Sequence, residues 1–302
     1  MKFKSHGIIF KPNKNTSWSL SHCMLPTIIK LSHNKIRIFF GSRNKDNISS
    51  IGFVDLSYKN KKFQKIKFSK KPVFKAGLLG SFDDNGVLPS SIIKKNKLFY
   101  LFYIGWRPSV TTRYSLIAGL AKSKNLNSFS RVSKSPILTL SDKEPYQILT
   151  APFVLKKNNK YYMWYVSCNK WENKDLPFYD IKFATSKNLI NWNQTGISCI
   201  RLKKGERAVA RPFVIYEKNL FKMWYCYERK TNGYKIGYAE SNDGKKWERK
   251  DNKIQFSNCF REENKMRAYP NLIKLDGDLL MFYNGNNYGE EGIFCANLES
   301  LA

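Results

Sequence analysis

The sequence predicts an all-β protein, a five-bladed β-propeller with four-stranded antiparallel blades, formed by residues 1–302 as a single domain. Three observations favour this fold. A proline-marked repeat occurs five times, an aromatic-rich strand follows each marker, and a strand-like N-terminal segment completes a last repeat that is one strand short. Four-stranded units repeated at a nearly constant period are typical of propeller blades.

The repeat is marked by Pro26, Pro89, Pro152, Pro212 and Pro270, which are spaced 63, 63, 60 and 58 residues apart. An apolar strand follows each proline. The spacing therefore predicts inner blade strands that start near residues 24, 87, 150, 210 and 268.

Each inner strand is followed by a turn and by an aromatic pair, as in Trp164-Tyr165 and Trp224-Tyr225, which indicates a β-hairpin. A third strand recurs as "LIAGLAKS" or "KIGYAES". We expect fourth strands in "KPVFKAG" (71–77), "SPILTLS" (135–141), "GISCIRL" (196–202) and "NKIQFSN" (252–258).

The fifth repeat ends after its third strand. "HGIIFKPN" (6–13) has the fourth-strand pattern, so we expect the N-terminal strand to complete the last blade and close the ring. Closure would remove the exposed sheet edge that favours aggregation.

The chain is strongly basic, with 53 Lys and Arg against 23 Asp and Glu and a formal net charge of +30. This charge favours an anionic partner, such as a nucleotide, a phosphorylated sugar, nucleic acid or an acidic membrane surface. The basic residues are scattered and form no recognition motif, so we expect no nucleic-acid binding and at most peripheral membrane contact.

The six cysteines are far apart and form no Cys-x-x-Cys pair, which argues against a zinc site and a disulfide framework. We expect no metal and no cofactor. The N-terminus lacks an apolar signal core, and the longest apolar run (98–106) is too short to span a bilayer. These features predict a soluble protein of the reducing cytoplasm.

Charged residues precede the marker prolines, where propeller loops crowd around a central channel. They are His22, Asp83, Asp84, Glu144, Glu206, Arg211, Arg261, Glu263 and Arg267. Paired carboxylates across a sugar can act as acid and base, and arginines bind phosphate bidentately. Asp84 and Glu206 are the catalytic candidates, and the others are candidates for substrate binding. A buried arginine at Arg211 or Arg267 would require a nearby anion.

Other roles for these residues stay open. Asp84 would alternatively accept backbone N–H groups of the Asn85-Gly86 turn, and Asp83 is more typical of a solvated turn residue. Glu206 would alternatively form an ordinary ion pair with Arg207 or Arg211.

Aromatic residues follow the second strands in "YIGWRP", "SCNKW" and "YNGNNYG". Trp106, Trp171 and Tyr288 are candidates for stacking on a sugar ring or base, with Arg107 beside Trp106. Core packing is the alternative for each tryptophan.

The repeat pattern, together with "FATSKNLINWNQ" (183–194) and "YAESNDGKKWER" (238–249), resembles the glycoside-hydrolase-type five-bladed propellers. These include arabinanases, invertases, levansucrases and mannoside phosphorylases. The resemblance implies a catalytic aspartate at Asp84 and a glutamate at Glu206. The first repeat departs from the family pattern, because "SLSHCMLP" carries His22 and no acid.

Mannoside phosphorylases use one acid and a basic phosphate pocket, which is similar to the set of His22, Arg211 and Arg267. The motifs "DDNGVLPS", "EPY" and "ARP" further resemble uncharacterised propellers associated with bacterial surface-polysaccharide biosynthesis. The resulting hypothesis is a carbohydrate-active enzyme that acts on a nucleotide sugar or glycosyl phosphate by transfer, phosphorolysis or isomerisation. An intracellular glycoside hydrolase and a non-catalytic glycan-binding propeller are the alternatives, and the sugar and the oligomeric state stay open.

Overall fold

The computed structural model describes residues 1–229 and 233–300, which form an all-β structure of 21 strands with three short helical turns. The turns are 3₁₀ segments at Asp251–Lys253 and Arg261–Glu263 and a helical turn, α1, at Asn286–Gly289. Within this part of the chain, no helix has the length and apolar character needed to cross a membrane.

Antiparallel pairing joins the strands into five consecutive groups. Group one contains β2 (Ser21–Ser32), β3 (Lys35–Arg43), β4 (Ser49–Lys59) and β5 (Lys62–Phe68). Group two contains β6 (Val87–Lys95), β7 (Leu98–Pro108), β8 (Tyr114–Ser123) and β9 (Ser130–Arg131). Group three contains β10 (Ile148–Lys157), β11 (Lys160–Asn173), β12 (Leu176–Ser186) and β13 (Asn193–Ile200). Group four contains β14 (Glu206–Glu217), β15 (Leu220–Arg229), β16 (Tyr234–Ser241) and β17 (Glu248–Arg249).

The fifth group combines the two ends of the described chain. It contains β19 (Ala268–Leu275), β20 (Asp278–Asn284), β21 (Ile293–Ser300) and β1 (Lys2–Phe10). β1 pairs antiparallel with β21, with Phe3 opposite Leu298, and β18 (Gln255–Phe256) pairs parallel with β1. The N-terminal strand thus occupies the sheet position predicted for it, beginning four residues earlier than expected.

Three of the four predicted fourth strands lie elsewhere. β5, β9 and β17 precede the predicted segments 71–77, 135–141 and 252–258, whereas β13 overlaps 196–202. Phe74 and Leu138 in these segments are buried. Phe74 forms an isolated β-bridge with Ile51 of β4, and the Ile137 N–H donates to the Ala118 carbonyl of β8. The two segments thus contact the third strands at isolated points without extending into a strand. The segment 252–258 supplies β18 to the fifth group instead.

The core lies between neighbouring groups and is built from the aromatic second strands. Their buried side chains include Phe39, Phe102, Trp164, Trp224 and Phe282. Trp164 Nε1 donates to the Gly244 carbonyl of the next group at 2.7 Å, so it joins two sheets by a hydrogen bond as well as by apolar contact.

Candidate functional site

The five marker prolines each lie within or next to a β-bulge. Pairing is shifted at Met24/Thr27, Pro89/Ser91, Thr150/Phe153, Ala210/Phe213 and Ala268/Asn271. A bulge bends the strand and re-aims a side chain, and bulges are frequent next to active sites. In four groups the residue directly before the proline lies within the bulge. In group two, Leu88 pairs regularly with Ile104 and the unpaired residue is Ser90.

These pre-proline residues all line one cavity: Leu25, Leu88, Ala151, Arg211 and Tyr269. Four of them, all except Leu88, have φ between 48° and 61°. A left-handed conformation costs an L-residue about 1–2 kcal/mol. Strain of this kind is typical of functional sites, where the surrounding structure holds it in place.

The cavity has a volume of about 430 Å³ and receives residues from all five groups. This volume suits a small ligand. Its wall is aromatic and basic, with Trp106, Tyr114, Tyr179, Tyr234, Tyr269, Tyr288, Arg43, Arg113, Arg207 and Arg211. Among the described lining residues, Asp175 carries the one carboxylate, and it is exposed at the mouth.

Arg211 is the most unusual lining residue because its side chain is 0% exposed. Its Nη2 donates to Thr27 Oγ1 at 2.9 Å, whereas Nε and Nη1 have no hydrogen-bond partner among the described residues. Burial lowers the pKa of the guanidinium to about 10. A buried cation without a counter-ion is costly, so this arrangement is typical of a site that receives an anionic ligand.

Beside Arg211, the wall is formed by a tyrosine-rich cluster. The hydroxyl groups of Tyr179 and Tyr234 share a short hydrogen bond. The Tyr234 ring lies 5.9 Å from Tyr269 and 6.3 Å from Tyr288. Aromatic faces with hydroxyl groups at their edges can stack on a sugar and hydrogen-bond its hydroxyls.

Behind this cluster, Arg207 forms an ion pair with the buried Glu228. Burial raises the pKa of the Glu228 carboxyl, and the charge of Arg207 opposes the shift. Glu228 was not among the predicted residues, because its place near the end of β15 lies outside the pre-proline segments and outside the aromatic motifs of the other second strands.

His22 lies half-buried near the mouth, with Nδ1 2.9 Å from Ser21 Oγ. Burial and the neighbouring Arg43 lower the pKa of His22 to about 4, against an opposing effect of Glu290. The imidazole is therefore neutral near pH 7. His22 does not line the cavity, in contrast to Arg43.

Several of the predicted acids lie outside the cavity, in a cluster that recurs in four groups. A second-strand tyrosine donates to a carboxylate: Tyr103 to Asp83, Tyr165 to Glu144, Tyr225 to Asp251 and Tyr283 to Glu263. Each carboxylate also has a cation, namely Arg131, Lys182, Arg249 and Arg267 respectively. We call these the Tyr–acid–cation clusters. Three of the five predicted acids, Asp83, Glu144 and Glu263, belong to these clusters.

The first group carries an apolar version of this cluster. Phe40 takes the place of the tyrosine, and Trp18 stacks on it with ring centroids 5.9 Å apart. The first repeat therefore lacks both the carboxylate and the tyrosine hydroxyl that would bind it.

The two catalytic candidates are not brought to the cavity. Glu206 is held bidentately by Arg249, at 2.7 and 2.8 Å. Asp84 accepts the Gly80 N–H at 2.9 Å in a turn. The expectation that Asp83 is a solvated turn residue is wrong, because Asp83 is 1% exposed and bound by Tyr103 and Arg131.

The remaining predicted residues are divided between the cavity and the surface. Trp106, Tyr288 and Arg211 line the cavity together. Trp171 packs edge-on against Tyr114 at 5.8 Å, and Arg107 and Arg261 are exposed. Arg267 pairs with Glu263 at 2.8 Å outside the cavity. Within residues 1–229 and 233–300, no three His, Cys, Asp or Glu side chains converge as metal ligands.

Comparison with known proteins finds enzymes that act on sugars and an uncharacterized protein. No family model matches the chain. The 1,2-β-oligomannan phosphorylase of a Thermoanaerobacter species is 29% identical over 134 residues, which cover 43% of this chain and 44% of that protein. A solved structure from the GH130 family of mannoside phosphorylases, which contains glycoside hydrolases that target β-1,2-mannosidic linkages in Candida mannan, superposes with a TM-score of 0.72. It is 16% identical and covers 99% of this chain and 95% of its own.

Further glycoside hydrolases share this architecture, so the chain has the β-propeller fold of that carbohydrate-active group. The uncharacterized protein Rv1502 of Mycobacterium tuberculosis (strain ATCC 25618 / H37Rv) is 31% identical over 306 residues, which cover 99% of this chain and all of that protein. The chain therefore belongs to the family of Rv1502.

Proposed function

We propose that the protein is a cytoplasmic enzyme that acts on an anionic sugar, either a nucleotide sugar or a glycosyl phosphate, in bacterial surface-glycan biosynthesis. The observation that carries this proposal is the buried, incompletely paired guanidinium of Arg211 in a cavity walled by tyrosines. The proposed scaffold is a single five-bladed propeller over residues 1–302, whose ring is closed by the pairing of β1 with β21.

The cavity wall supports an anionic rather than a neutral ligand. Four arginines line it against one lining carboxylate. Two strand groups and the loop between β7 and β8 supply these arginines. Arg207 is paired with Glu228, so the other three carry the positive charge of the wall. Arg211 would bind the phosphate at the bottom of the cavity, with Arg207 and Arg43 nearer the mouth. Trp106 and the tyrosines would hold the sugar. The oligomannan phosphorylase relative supports a sugar or sugar phosphate as the ligand.

This distribution of charge suits a reaction in which phosphate leaves or attacks. A phosphate leaving group needs its developing charge neutralised more than it needs a proton, so cations replace one of the two acids of a hydrolase. One group is still required to move a proton at the second substrate. Asp84 was the predicted acid/base, and Asp175 is the carboxylate that lines the cavity, so we assign this proton transfer to Asp175.

Thermal unfolding in the presence of ligands tests the proposal. At a hundredfold excess over the dissociation constant, a sugar phosphate or nucleotide sugar should add about 2.7 kcal/mol of stability. For 302 residues this corresponds to a rise in Tm of about 4 °C. Arg211→Met should abolish the shift, whereas Arg107→Met, which removes an exposed arginine outside the cavity, should preserve it. Absence of a shift with every anionic sugar would refute the proposal.

Turnover distinguishes the two candidate acids. Once a substrate is found, Asp175→Asn should lower kcat at least a hundredfold, because general acid–base catalysis contributes about 10²–10⁴-fold. Asp84→Asn should leave kcat within about threefold. The reverse result would return the catalytic role to Asp84.

A non-catalytic receptor for anionic glycans is the second candidate. It is favoured by the exposure of Asp175, since a lone exposed carboxylate is a weak catalytic set. Such a receptor would bind the same ligands without turnover, and Asp175→Asn would leave binding unchanged. A hydrolase would instead need two carboxylates across the sugar and would release sugar without added phosphate.

A further inference from the structure

The loop that precedes β6 presents two leucines to solvent. Leu78 is 76% exposed and Leu79 is 98% exposed, and Val110, between β7 and β8, is 88% exposed. These three are the most exposed large apolar side chains among the described residues. We call them the apolar rim. Single exposed apolar residues are common, but three extreme cases on two loops at the same end of the second group indicate a contact surface.

The apolar rim lies beside the cavity mouth. Asn85 follows the leucine loop and Arg113 follows Val110, and both line the cavity. The leucine loop is joined to the end of β7 by two backbone hydrogen bonds. The Asn85 N–H donates to the Trp106 carbonyl, and the Trp106 N–H donates to the Gly86 carbonyl.

The leucine loop is firmly held. The Gly77 N–H donates to the Asp83 carbonyl, and Ser81 Oγ donates to the Leu78 carbonyl and to Asp83. The loop also packs directly on β7, because a Cβ at Gly105 would lie 2.6 Å from Phe82 and 2.7 Å from Asp83. Together with the bond from Gly80 to Asp84, these contacts fix the two leucines facing outward. A preformed apolar surface loses little entropy on binding.

Basic residues surround the apolar rim. Exposed cations in the loops and strand ends on this side of the chain are Lys75, Arg107, Arg113, Lys170 and Lys174. The nearby acids are Asp84, Glu172 and Asp175, with Asp83 neutralised by Arg131. The local excess is positive, and the whole chain carries +30. Apolar side chains within a cationic surface are typical of proteins that dock on anionic bilayers.

We propose that the cavity-mouth face docks on an anionic membrane surface, with Leu78, Leu79 and Val110 entering the headgroup layer and the surrounding lysines and arginines contacting lipid phosphates. Charge complementarity selects the bilayer as the occupant, and docking would place the cavity mouth at the lipid headgroups. This proposal does not depend on the reaction assigned above.

Sedimentation with lipid vesicles tests the proposal on the full chain. One set of vesicles is phosphatidylcholine alone, and the other contains phosphatidylglycerol as about a third of the lipid. We expect binding to the anionic vesicles at least tenfold stronger than to the neutral ones, and weaker at high salt. Leu79→Asp should reduce the binding at least tenfold.

Ile190→Asp is the matched control, because Ile190 is 44% exposed and lies beyond β12, at the end opposite the mouth. Ile190→Asp changes the net charge of the protein by the same amount as Leu79→Asp, and it should alter the binding to anionic vesicles less than about twofold. Leu78→Ser with Leu79→Ser removes the apolar surface at unchanged charge and should also lose binding. Equal losses for Leu79→Asp and Ile190→Asp, full binding by the serine variant, or no binding by the unaltered protein would each overturn the proposal. Unchanged thermal unfolding would show that each variant is folded.

Discussion

Replacing Arg211 by Met should stabilise the protein in the absence of ligand while removing its anion site. The guanidinium is fully buried, and two of its nitrogens have no partner among the described residues. Each unpartnered buried donor costs about 1–3 kcal/mol, and losing the Thr27 hydrogen bond costs about 1 kcal/mol. The net gain is on the order of 1–5 kcal/mol, in line with the effect of replacing buried ionic groups by apolar ones of similar volume.

The entropy of unfolding for 302 residues converts this gain into a rise of about 2–8 °C in Tm. Differential scanning calorimetry without phosphate or sugar ligands measures it. Arg211→Lys is the matched variant, since it keeps a buried charge and should gain nothing. If Arg211→Met lowered Tm by several degrees, Arg211 would be a structural residue whose nitrogens are satisfied by water, and the argument for an anion site would fail.

Three further predictions concern the surroundings of the cavity. Asp83→Ala should cost about 2–3 kcal/mol in urea unfolding, because it breaks a buried pair with the partly exposed Arg131, whereas Asp84→Ala should cost less than about 1 kcal/mol. Stability should fall as pH drops from 6.5 towards 4, because the unfolded His22 imidazole binds its proton first, and His22→Asn should reduce this slope in pH-dependent unfolding. Phe40→Tyr should cost about 1–3 kcal/mol by the same unfolding assay, since the first group offers the new hydroxyl no carboxylate; a neutral result would mean that a polar partner is within reach.

The repeat made much of the fold predictable from the sequence. Spacing of the prolines located β2, β6, β10, β14 and β19, because a bulge at or next to each proline recurs at nearly the same place in the unit. Fourth strands were placed less well. Phe74 and Leu138 are buried in segments that contact the third strands at isolated points, and an apolar pattern alone does not distinguish such a segment from a full strand.

Among the charged candidates, the one that lines the cavity stands directly before its proline, whereas the aromatic candidates Trp106 and Tyr288 reach the cavity from the ends of second strands. Arg211 occupies that position, and the bulge aims it into the cavity. Asp83, Glu144, Glu206 and Glu263 lie a few residues earlier, where the chain passes between groups rather than along the cavity. Tyrosines of the second strands bind three of these acids there. Contacts between residues 20 or more positions apart decide this outcome, and no local pattern reveals them.

The paired aspartates of the leucine loop illustrate how a basic chain uses its few acids. Asp83 accepts hydrogen bonds from Tyr103 and Arg131, and Asp84 accepts a backbone N–H of its own turn. Because most candidate acids are bound in this way outside the cavity, Arg43, Arg113 and Arg211 face a single lining carboxylate, Asp175. Arg207 is paired with Glu228, and the cavity stays cationic. The same bonds that remove these aspartates from the chemistry hold Leu78 and Leu79 outward. A single loop thereby preserves the positive cavity and builds the apolar rim beside it, which links the proposed anion site to the proposed membrane surface.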